Sequence, residues 1–168
     1  NKDEDSISIV DIEKKKEIKK VDCGHNPHEI AVTQDGKKSY ITCSLGNEVN
    51  VLDNDDFEIT KTIVHDDFDF PHGVGLTKEG DRLFLASTYS EKIFIIDTEK
   101  DEIIDHFPTY QKYSHMISFS PDGKTVYVDP WAEVLKEPIE KADLVISTHN
   151  HFDHFDKKAI QSLKKRNT

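Results

Sequence analysis

A mainly β chain, built from repeated four-stranded units the size of one β-propeller blade, is predicted by three observations. The segment from Pro27, PHEIAVTQDGKKSYIT, returns at Pro71 as PHGVGLTKEGDRLFLA and again around His115 as SHMISFSPDGKTVYV. Its marker residues keep one beat: His28, His72 and His115 lie 44 and 43 residues apart, as do Gly36, Gly80 and Gly123, and Tyr40, Phe84 and Tyr127. A second set, SIVD ending at Asp11, NVLD at Asp53 and FIID at Asp97, recurs at 42 and 44 residues. Independent positions agreeing on a period of about 42–44 residues identify a repeat architecture, and one four-stranded blade has that length.

The elements follow in order within each unit. In the second complete unit, strands are expected over His72–Leu76, Arg82–Ser87, Lys92–Asp97 and Glu102–Phe107. The first two are joined by Glu79-Gly80, as elsewhere by Asp35-Gly36 and Asp122-Gly123, where glycine supplies the positive φ of a tight hairpin. The third strand alternates in residue type, as in Val49 and Val51 or Ile93 and Ile95. Asp11, Asp53 and Asp97 close these strands and read as caps that accept hydrogen bonds from the turn. Lys14-Lys15-Lys16 reads as a solvated turn. The two cysteines, Cys23 and Cys43, fit one disulfide or two thiols and do not fix the compartment. Small buried residues are the simpler reading.

Counting strands leaves the units uneven. The N-terminal stretch supplies the last two strands of a blade, near Ile7–Asp11 and Glu17–Asp22, and the third repeat supplies the first two, ending at Val128. Two complete blades lie between. One copy cannot close a ring, and an open propeller leaves unpaired strand edges. The expected solution is a homodimer, the alternative being that the chain is a fragment of a longer propeller. One chain's His115–Val128 half pairs with the other's Ile7–Asp22 half, so each chain contributes three blades to a six-bladed ring.

Composition narrows the partners. A net charge of −11 argues against a nucleic-acid phosphate backbone and against anionic membranes. No apolar run reaches the ~18 residues of a membrane span, so no membrane insertion is expected. The chain begins at Asn1 without Met, which fits a trimmed leader or a longer parent chain.

The repeat over about residues 6–128 resembles the YVTN family of β-propellers, of the surface-layer and YncE-like type, with SPDGKTVYV its most diagnostic run. The resemblance implies a propeller with a binding or structural role. In such a fold His28, His72 and His115, at the starts of the first strands, lie near the mouth of a central channel. A ring of histidines there can bind a metal or an anion, and the simpler reading is polar residues facing channel water.

After Val128 the beat stops. Asp129-Pro130-Trp131 ends a strand, and 142–148 is a second apolar run. His149, His151, Asp153 and His154 then follow as T-H-x-H-x-D-H. Asp156 can cap a helix with Ala159, Ile160 and Leu163 on one face and Lys164, Lys165 and Arg166 at its C-terminal end. About residues 124–168 resemble the N-terminal portion of a metallo-β-lactamase-superfamily hydrolase of the lactonase-like branch.

That resemblance implies that His149 and His151 hold one metal, zinc or a similar ion, and that Asp153 and His154 help hold a second. It also implies that Asp129 steadies the ligand loop. The family's further ligands, a third histidine, a bridging aspartate and a late histidine, have no match. Fourteen residues follow His154, none a histidine, and their one carboxylate is Asp156. A partial zinc site without catalysis is therefore expected, since a hydrolytic site needs about three protein ligands and an activated water.

The organisation read from the chain is thus propeller repeats over 1–128 and a small β/α appendage over 129–168, with Gly123–Asp129 serving both families as a strand. In the appendage, Tyr127–Asp129 and Leu144–Ser147 are expected to run parallel, joined by a crossover near Trp131–Leu135; the rival arrangement folds Leu144–Ser147 back as an antiparallel third strand of the last blade. Two functions compete: a self-assembling propeller with a truncated, non-catalytic hydrolase segment, and a zinc-dependent hydrolase using the histidine motif.

Overall fold

A computed structural model describes residues 1–110, 112–120 and 122–128, which are mainly β. Strands β1 (Ser6–Asp11) and β2 (Lys16–Asp22) form a two-stranded sheet. A four-stranded sheet follows: β3 (Pro27–Val32), β4 (Lys38–Cys43), β5 (Glu48–Asp53) and β6 (Glu58–Val64). The next is β7 (Pro71–Leu76), β8 (Arg82–Ser87), β9 (Lys92–Asp97) and β10 (Glu102–Pro108). The third repeat forms a pair, β11 (Ile117–Phe119) and β12 (Val126–Val128). Every pairing is antiparallel between consecutive strands. The expected strands at 82–87 and 92–97 hold to the residue. Lys16 opens β2 instead of closing the lysine turn, and the segments after Val128, including the parallel pair and the helix, lie outside the described residues.

The turns carry the repeat into the backbone. Gly36, Gly80 and Gly123 adopt φ of 73°, 75° and 71°. Their N–H groups donate to Thr33, Thr77 and Ser120 carbonyls at 2.9, 3.0 and 2.9 Å. The aspartate caps form as expected. Asp11 Oδ1 accepts from Glu13 and Lys14 N–H, Asp53 Oδ1 from Asp55, and Asp97 Oδ1 from Glu99 and Lys100. The Lys14 ammonium and backbone hold the Asp11 carboxyl below its usual range, and the Lys100 N–H does the same for Asp97. A further beat uses no glycine: Lys15, Phe57 and Asp101 share φ of 49°, 58° and 56°.

Alternation in residue type does not become alternation in burial. On β5, Val49, Asn50, Val51 and Leu52 are all buried. The reason is that the sheet is covered on both faces. Tyr40, Val49 and Val51 pack against Leu83, Leu85, Phe94 and Ile96 of the next sheet. Ile41, Cys43 and Leu52 turn the other way, onto Ile7 and Val21 of the β1–β2 pair. The first strands β3, β7 and β11 lie side by side, so the sheets converge there. The fourth strands stay solvated, with Ile18, Val64 and Ile104 exposed.

Candidate functional site

The convergence of first strands brings the three repeat histidines together. Pro27 pairs with Cys43 and Ile30 with Ile41, so the ladder shifts register at the intervening His28-Glu29. The same shift falls between Pro71 and Val74, at His72-Gly73. Such bulges re-aim side chains. Here the histidine rings of neighbouring sheets meet: His28 and His72 have centroids 4.3 Å apart, and His72 and His115 stack at 3.6 Å and 24°. Phe70 lies 5.8, 6.0 and 6.4 Å from these three rings, with Tyr89 at 5.2 Å beyond it. Phe70 holds φ of 58° in the place occupied by Asn26 one unit earlier.

Close backbone approach makes the stack possible. Gly73 N–H donates to the His115 carbonyl at 2.7 Å, joining β7 to the segment leading into β11. A side chain at 73 would lie 2.2 Å from that oxygen. His72 is buried, while His28 is exposed at one edge. The His115 Nδ1 lies 3.4 Å from Thr88 Oγ1. The sequence set the three histidines at equal positions; Phe70 and Gly73 it passed over, although repeat alignment marks both, with Asn26 and Glu29 as their counterparts.

The stack offers flat π surface and imidazole nitrogens. Among the described residues no group of three or more His, Cys, Asp and Glu side chains is placed to hold a metal ion. Desolvation pushes the His28 imidazole below its usual value, and Lys2 adds to it. The unfolded chain therefore binds this proton more tightly. The contribution of this ring to stability is full above about pH 6.5 and is lost as pH drops from there through the folded pKa. A histidine ring-proton NMR titration should place the His28 midpoint below about 6.5; a midpoint at or above it would mean that the ring is solvated. His149, His151, Asp153 and His154 lie outside the described residues.

Fold and site together define an antiparallel β-repeat protein whose sheets stack face to face. Residues 110–166 match the Beta-lactamase superfamily domain, a span that begins before β11 and continues past β12. No curated protein matches the chain. Among solved structures, the hydrazine synthase of Kuenenia stuttgartiensis is similar with a TM-score of 0.72 and 28% identity, over 76% of this chain and 36% of that one. A functionally unknown protein from Desulfotomaculum acetoxidans shares the fold with a TM-score of 0.65 and 21% identity, over 73% of this chain and 41% of that one. The chain thus spans well under half the length of either.

Proposed function

We propose that this chain is a self-assembling β-propeller with a binding or structural role, carrying the hydrolase-like segment without hydrolytic activity. The observation that carries this reading is the pair of complementary two-stranded sheets. β1–β2 corresponds to the third and fourth strands of a unit, and β11–β12 to the first and second. β12 of one copy pairs with β1 of a second copy, and two such seams close six blades and remove the open edges. Exposed Val10 and Ile12 on and beside β1 fit a surface that is covered in the assembly. The short share of the hydrazine synthase that the chain matches fits a scaffold needing further units.

Sedimentation equilibrium should give twice the 19.3 kDa chain mass at micromolar concentration. Ile9→Pro, which removes a ladder donor in the middle of β1, should shift the mass to one chain and loosen its fold. A stable, well-folded monomer would sink the assembly.

The match over residues 110–166 favours one other reading, a metal-dependent hydrolase using His149, His151, Asp153 and His154. We expect weak zinc binding that declines below about pH 6.5, because neutral imidazoles are the ligands, and no turnover of lactone, phosphodiester or β-lactam substrates. Metal analysis of the chain and of its His149→Ala, His151→Ala double variant measures the first. Metal-dependent hydrolysis abolished by His151→Ala would establish the enzyme.

A further inference from the structure

The residue after β2 packs against the end of β4, and the two cysteines meet there. Cys23 N–H donates to the Asp5 carbonyl at 2.9 Å and Gly24 N–H to Asn50 Oδ1 at 2.7 Å, which fixes the backbone on both sides of the junction. Gly24 approaches so closely that a Cβ on it would lie 2.9 Å from the Cys43 Cβ. Cys23 and Cys43 pack into one cluster with Ile7, Val21 and Leu52, and both are free thiols.

Their surroundings differ in a way that assigns roles. Cys43 is fully buried, with its sulfur 3.4 Å from Asn50 Oδ1. Cys23 is half-buried and lines an open groove with Asp22, Glu48, Asn50 and Thr62. The Cys43 side chain beside it holds the Cys23 thiol below its usual pKa, and the neighbouring Cys23 together with burial pushes Cys43 up. The accessible sulfur is therefore the better nucleophile, and the sheltered one can reach only its neighbour.

We propose that Cys23 and Cys43 are a reversible dithiol–disulfide pair, oxidised through the groove by a small disulfide of the glutathione type. The Cys23 thiolate attacks the small disulfide; its S–S bond breaks, one thiolate leaves, and a mixed disulfide forms on Cys23. Cys43 then gives up its proton and attacks the Cys23 sulfur, forming the intrachain S–S bond and expelling the second small thiolate. Two cysteine thiols lose two electrons and two protons, and the small disulfide takes up both to become two thiols. The product ties the β1–β2 pair covalently to the β3–β6 sheet, a junction that also holds one apolar cluster, a few hydrogen bonds and the Lys19–Glu58 ion pair. This holds whether or not a second copy closes the ring.

The test equilibrates the full chain in buffers of graded glutathione to glutathione disulfide ratio, traps free thiols with a maleimide, and measures intact mass. Both cysteines should lose reactivity in one transition, giving a chain lighter by two hydrogens that free thiol restores. In Cys43→Ser the glutathione adduct should accumulate on Cys23, because nothing resolves it. In Cys23→Ser, Cys43 should stay unmodified in the folded chain. Two maleimide labels persisting in excess glutathione disulfide would overturn the proposal. So would a stable adduct on the unsubstituted chain, or a disulfide between two chains.

Discussion

Gly73→Ala should detach the third repeat from the sheet before it, at a cost of about 1.5–4.5 kcal/mol. The estimate adds ~1–3 kcal/mol for overpacking to ~0.5–1.5 kcal/mol for a lost hydrogen bond. The new Cβ would lie 2.2 Å from the His115 carbonyl oxygen and 2.8 Å from the Met116 Cα. Both are backbone atoms, which cannot swing aside as a side chain can. β7 must back away, breaking the Gly73–His115 hydrogen bond and opening the His72–His115 stack. The edge-to-face contact of Phe84 with Phe119, 5.2 Å between centroids, loosens with it. Gly75→Ala is the control: its Cβ would meet Phe119 at 3.3 Å and Ile117 at 3.6 Å, through side-chain atoms that can yield. Denaturant unfolding should separate the two variants, and hydrogen exchange should quicken first over β11 and β12. Equal stabilities for both would refute the close approach.

Tyr40→Ala should cost about 3–5 kcal/mol, and Tyr40→Phe about 1.5–3 kcal/mol, because two separable contributions meet at this side chain. Its ring is fully buried among Val49, Val51, Leu83 and Leu85, between the two four-stranded sheets. Its hydroxyl donates to the Thr98 carbonyl at 3.2 Å and to the Asp101 carboxylate. Lys38 Nζ joins the same knot, 2.6 Å from the Thr98 carbonyl and 2.9 and 3.0 Å from the two Asp101 oxygens. The turn that presents Asp101 is set by the Asp97 cap and by the φ of 56° at Asp101 itself. Burial, with the Asp101 carboxylate beside it, pushes the phenol far above its ordinary pKa, so the hydroxyl remains a donor at any working pH. In Tyr40→Phe the lysine still faces the carboxylate, so only the hydroxyl's share is lost. Unfolding midpoints at unchanged slope measure both variants. If phenylalanine cost as much as alanine, the polar knot and not the packing would hold the sheets together.

The strands were legible because local chemistry bounds them. β8 and β9 begin and end where a glycine turn and an aspartate cap dictate, and both signals are written in single residues. Burial was not legible. Alternation reports the pleat of one strand, while the covering of both faces of β5 depends on sheets distant in sequence. The left-handed residues Phe57 and Phe70 gave no sign, because tertiary packing and not glycine permits their backbone there. Equal spacing marked His28, His72 and His115 as equivalent; that they touch follows from the bulges behind the prolines and from first strands lying side by side. The meeting of Cys23 with Cys43 joins the ends of two strands in different sheets, which no local pattern encodes. The T-H-x-H-x-D-H run was read through its resemblance to metallo-β-lactamase-superfamily hydrolases, and its candidate ligands lie outside the described residues.

Because neighbouring sheets meet through apolar side chains, a handful of hydrogen bonds and the Lys19–Glu58 and Lys38–Asp101 ion pairs, each sheet among the described residues recognises the one before and the one after it. Gene duplication can therefore lengthen such a chain by one beat and present the newcomer with faces it already fits. Loss of a beat brings two compatible faces together in the same way. Growth by whole sheets needs no redesign of the interior, whereas an insertion of a few residues within a strand shifts its pleat and turns its buried side outward. Lineages of this architecture should accordingly differ by intact units, and their loops should absorb the smaller changes.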